Sequence, residues 1–364
     1  MPSFHLIERR VMKKRNINID VLKCIAVMFV VSVHFFLHNN YYGRSFSFKS
    51  IFYSSFIWII FMTCVPLFIM VTGCLMKDKT YNKAYFLKLL PVLGTYALTA
   101  SVYTLFDTKA LNIEYLEKVV VNIVTFSHYA WYVNMYIGLY LLIPLLNSGY
   151  KSLKNQRAQG LVILILIILT VLPPTLSLID NNQKFIIIQH LVPDYWKGIW
   201  PITYYFLGIF LASLTKKWNM KMVFLSIIIV DILSIVGIAG VSEKSLGIEF
   251  AVLPVLFLSS LIYYLVLHLH IDIKKIWLQK IIYFISNNTL SIYLLSVIGD
   301  YYWYPKIIER WGDFSNIFPK FPLIVFLLFL QSLIITFILV FGIKIFLDIV
   351  AKLSQSTKGR IFDK

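Results

Sequence analysis

Apolar stretches of about 18–20 residues recur along the whole 364-residue chain, and each is long enough to cross the hydrocarbon core of a bilayer as a helix. Hydrophobic residues make up 59% of the sequence and charged residues only 14%, too few to coat a soluble globule of this size. The pattern predicts an all-α, polytopic integral membrane protein with about ten transmembrane helices. They fall at 19–38, 51–75, 89–106, 128–147, 159–177, 198–215, 222–240, 250–268, 281–299 and 321–350. The segment 119–127 is apolar but too short to span, and reads as a surface or re-entrant piece. The first run is a retained span rather than a cleavable leader, because Phe35-Phe36-Leu37-His38 follows it with no small-x-small site.

The formal charge of +17 does not point to nucleic acid, because the positives sit in short clusters between the apolar runs. Arg9, Arg10, Lys13, Lys14 and Arg15 precede the first span; Lys77, Lys79, Lys83 and Lys88 follow the second; later clusters include Lys151, Lys154 and Arg157. This is the distribution of orientation signals, and it places both termini in the cytoplasm. Residues 1–364 read as one membrane domain with no appended soluble domain. Cys24, Cys64 and Cys74 have no metal-ligand spacing and read as buried free thiols, and no metal is expected. Abundant Ile, Lys, Asn, Phe and Tyr point to an AT-rich bacterial source and so to the plasma membrane; whether the chain self-associates stays open.

Within the first span, Lys23 and His34 are eleven residues apart. At about 100° per residue they return to one face, about 16 Å apart along the axis. Asp20 and His38 lie near the same stripe. Ionisable groups inside a membrane helix usually face a bundle interior or a wet cavity. Asp20 and Lys23 can also be read as a snorkelling anchor at the helix start. His34 lies deeper and suits a general base near neutral pH, while Lys23 could hold a phosphate as a compact charge. The pair suits a long molecule with a charged head and a reactive tip, a shape coenzyme A has. The lysines at 77, 79, 83 and 88 serve either as topology signals or as a second contact for an anionic cofactor. His128, Trp131, Tyr132, Asn134 and Tyr136 either form an interfacial belt or line a sugar- or acyl-binding cavity. Thr72-Gly73 permits close helix approach or a break, and Ser286-Asn287-Asn288-Thr289 suits bonding across helices. Asp231 sits alone in the seventh span, where it should face inward and need a partner.

Four segments in order resemble the membrane-bound acyltransferase family 3, which includes polysaccharide O-acetyltransferases: Asp20-Val-Leu-Lys23-Cys-Ile25-Ala26 through His34, Phe68 to Leu75, His128 to Pro144, and Thr289 to Leu294. The chain departs from the family at three positions. Lys23 stands for an Arg, losing the bidentate fork; Tyr85 replaces the first Arg of a basic pair whose second member is Lys88; Ser296 replaces a His. The resemblance implies an O-acyltransferase taking acetyl from cytoplasmic acetyl-CoA to a hydroxyl of a cell-surface or lipid-linked glycan. His34 with Asp20 would be catalytic, Lys23, Lys88 and Lys83 would meet the donor, and His128, Trp131, Tyr132, Asn134 and Tyr293 would line the acceptor and oxyanion region. Ten spans with an inward Asp and His also fit an exporter of a glycan or small metabolite, although no inverted repeat is visible. A membrane sensor or assembly partner is a third reading.

Overall fold

The computed structural model describes residues 15–42, 48–179, 192–215, 217–239 and 249–362, and every regular element among them is helical. The chain runs α1 (Ile17–His38), α2 (Phe48–Phe61), α3 (Cys64–Met76), α4 (Lys83–Leu87), α5 (Leu90–Thr108) and α6 (Ile113–Thr125). A 3₁₀ turn, His128–Ala130, leads into α7 (Trp131–Ser152), α8 (Gln156–Thr170), α9 (Leu172–Ile179), α10 (Asp194–Lys197), α11 (Trp200–Ser213) and α12 (Met220–Ala239). The last elements are α13 (Leu253–His268), α14 (Ile276–Asn287), α15 (Thr289–Trp311), α16 (Phe314–Ile317) and α17 (Phe321–Phe362).

Five helical stretches among the described residues are long and apolar enough to cross a membrane, and seven if each of two bent pairs counts as one span. The chain is a multi-pass membrane protein. Each of the ten expected runs coincides with helix, but they are not equal. α11 and α13 have only 14 and 16 residues, and α7 is diluted by Asn134, Asn147 and its tyrosines.

The expected span 281–299 is corrected: it is broken at Asn288, where α14 and α15 meet at 77°. Asn288 leaves the helical region (φ −117°, ψ 20°) and donates its side-chain amide to the Phe284 carbonyl at 2.7 Å. The Ser-Asn-Asn run offers the backbone local partners that compete with the helix. Most of the region 119–127 falls in α6 (to Thr125), which packs along α5 and buries none of its residues.

The core is organised around α1, which contacts α2, α3, α13, α14, α15 and α17. Its start is capped by Asn16, whose side chain accepts from the Asn18 amide, satisfying one of the helix's orphan donors. Buried Asn18 in turn donates to the Val266 and Leu269 carbonyls at 2.8 and 2.6 Å, closing the end of α13. Helices α3 and α11 approach each other closely. A Cβ added at Gly73 would lie 2.2 Å from the Tyr205 carbonyl oxygen, and one at Gly208 would lie 2.2 Å from that of Met70. Backbones meet here only because both positions lack a side chain. Asp231 faces inward as expected, fully buried on α12, but neither carboxylate oxygen has a hydrogen-bond partner among the described residues.

Candidate active site

Lys23 and His34 open onto the same cavity of about 520 Å³. The period of α1 places them on one face, and α3, the start of α7, Phe250 and the start of α15 wall the space in front of it. Trp131, Tyr132 and Tyr293, three of the expected aromatic residues, line it as well.

His34 is 7% exposed, and its Nδ1 lies 2.9 Å from Oδ2 of Asp300 on α15. The Tyr129 hydroxyl donates to the same oxygen at 2.9 Å, and its ring lies 4.0 Å from the imidazole, centroid to centroid. A carboxylate can only accept, so His34 donates from Nδ1, and in the neutral imidazole the lone pair then sits on Nε2. That is the tautomer a general base needs, fixed by a second group in the manner of catalytic triads. His38 is hydrogen-bonded through Nε2 to the Tyr129 hydroxyl. Tyr129 gives its proton to Asp300, so His38 is the donor. The Tyr293 hydroxyl donates to the Tyr129 backbone carbonyl, while Ser296 lies 3.4 Å from His34 Nδ1 and donates to the Tyr293 carbonyl at 2.7 Å. Tyr132 lines the cavity, and its hydroxyl makes no hydrogen bond among the described residues.

Sequence reasoning missed Asp300 and Tyr129. A signal for Asp300 was present: Tyr293, Ser296 and Asp300 follow one another at three- and four-residue spacing, which is one face of α15.

At the other end of the cavity, the Lys23 amine donates to the Ser286 carbonyl at 2.8 Å, so it caps the broken end of α14. Thr289 and Leu290, the first turn of α15, line the cavity beside it. An ammonium and a helix N-terminus therefore share this end, and both favour an anion.

Asp20 does not join His34. The Arg15 guanidinium grips it at 3.1 and 2.5 Å, and the Ser286 hydroxyl donates to it at 2.5 Å. Fourteen residues along the helix place it about 21 Å from His34, where it brackets α1 to the α14–α15 break. Lys83 and Lys88 are exposed at the ends of α4 and do not line the cavity. Between them Tyr85 is buried. It stacks on Tyr140 at 4.4 Å, and each hydroxyl donates to the other's backbone carbonyl, at 2.5 and 2.8 Å. The uncharged residue in the expected basic pair is thus a clasp between α4 and α7. Asn134 is exposed and outside the cavity lining, because two residues from Tyr132 turn it to the far side of α7. The His128 side chain lies outside the described residues. Cys24, Cys64 and Cys74 are free thiols; Cys64 is buried in the cavity wall.

The family model described as an acyltransferase domain matches residues 16–341. No curated protein and no solved structure matches the chain.

Proposed function

Because the chain belongs to the acyltransferase 3 family, we propose that it moves an acetyl group from cytoplasmic acetyl-CoA to a hydroxyl of a cell-surface or lipid-linked polysaccharide. The observation that carries this reading is a histidine oriented by Asp300 in a cavity whose other end carries Lys23. The donor's phosphates would lie toward Lys23 and the first turn of α15, with the thioester extending about 16 Å along α1 to His34. His34 Nε2 would take the proton from the acceptor hydroxyl as its oxygen attacks the thioester carbonyl. As the carbon–sulfur bond breaks, the same proton would pass to the departing thiolate, so no net proton is consumed. The Tyr132 hydroxyl is available to donate to the developing oxyanion; Tyr293 is already bonded to Tyr129. Asp300, buried and held by two donors, would stabilise the imidazolium that forms.

The reading extends to ten crossings of a bacterial plasma membrane with both termini in the cytoplasm, supported by the basic clusters between apolar runs. The test is transfer of labelled acetyl from acetyl-CoA to surface glycan in membranes carrying the protein. His34→Ala should abolish transfer while the protein still inserts and elutes as a folded species. Lys23→Ala should raise the KM for acetyl-CoA and leave kcat nearly unchanged. Full activity in folded His34→Ala would overturn the assignment, and a protein that neither binds acetyl-CoA nor releases its thiol would be better read as a transporter.

A further inference from the structure

The reactive end of the cavity differs from its inner end in charge. Around His34 the lining is Val30, Val33, Leu37, Cys64 and Val65, together with aromatic rings. Among the described residues lining the cavity, Lys23 is the only lysine or arginine. It stands about 16 Å down the helix, with its amine already on the Ser286 carbonyl. The nearest fixed charge to His34 is negative: Asp300, fully buried 2.9 Å behind the imidazole.

Resting on the acetyl-CoA reading above, we infer that this chamber takes donors with an uncharged acyl group and rejects dicarboxylic donors such as succinyl-CoA. A thioester placed at His34 projects its acyl tail among valines, Leu37 and aromatic rings. An acetyl or butyryl tail buries apolar surface there. A succinyl tail brings a carboxylate into a largely apolar site where the described lining around His34 offers no lysine or arginine to pair with it and Asp300 repels it. The same charge asymmetry orients the donor, because among the described lining residues the inner end is the one that attracts phosphate.

The test uses the full chain in lipid nanodiscs and compares binding of CoA, acetyl-CoA, butyryl-CoA and succinyl-CoA. Acetyl-CoA and butyryl-CoA should bind at least as tightly as CoA, and succinyl-CoA at least about tenfold more weakly than acetyl-CoA. Equal affinity for succinyl-CoA and acetyl-CoA would overturn the inference while leaving the donor reading intact. Failure of all four to bind would overturn the donor reading and the inference together. Val33→Arg places a cation in the wall of the reactive end. In a variant that elutes like wild type, succinyl-CoA should regain about tenfold in affinity relative to acetyl-CoA; no gain would count against the assignment.

Discussion

Asp300 decides which nitrogen of His34 is available. The carboxylate accepts from Nδ1 and from the Tyr129 hydroxyl at the same distance, 2.9 Å, so the imidazole is locked in one tautomer. Asp300→Asn keeps the size but can present an amide donor to the ring and favour the wrong tautomer. Transfer should fall about 10²–10⁴-fold in kcat, with the acetyl-CoA KM little changed and the protein still folded; steady-state kinetics on purified protein checks the split. Half of this constellation was legible in the sequence. The Lys23–His34 stripe follows from helical period alone, because both residues sit on one uninterrupted helix. Asp300 did not emerge, because its contact spans 266 residues and no local pattern encodes which spans become neighbours. Asp20 shares the stripe's angle but not its depth, and it is paired with Arg15 rather than brought to His34.

Helices of a membrane protein associate through fit rather than through expulsion of water, and the α3–α11 pair shows what the fit demands. Gly73→Ala and Gly208→Ala each drive a methyl into a facing carbonyl 2.2 Å away. Each should lower stability by about 1–3 kcal/mol, read as a reduced melting temperature in detergent. The double variant should lose less than the sum, because both changes separate the same two helices. The Thr72-Gly73 step was readable as a site of close approach or a break, and the structure shows close approach. Ser286-Asn287-Asn288 pointed to inter-helix bonding. It also ends a helix, a dual role that residue types alone do not separate, since side chains able to bond across helices can equally bond to their own backbone.

At the scale of the molecule, apolar run length gave the helical architecture and located the helices, because bilayer thickness sets a minimum length that sequence displays directly. The number of crossings is less legible, because α11 and α13 are short and α14 turns aside. The proposed orientation makes a prediction independent of catalysis. Reporters fused at either end of the chain should be active only in the cytoplasm, while one inserted near residue 110, between α5 and α6, should report the opposite side. A reporter at residue 110 facing the cytoplasm would invert the assignment of donor and acceptor faces.

The bend at Asn288 carries a consequence for the surrounding lipid. α14 is set at 77° to α15 and exposes Ile276, Trp277 and Ile281. Its terminal carbonyl also holds the Lys23 amine. A change in membrane thickness or lateral pressure that moved α14 against α15 would therefore carry the Lys23 end of the cavity with it.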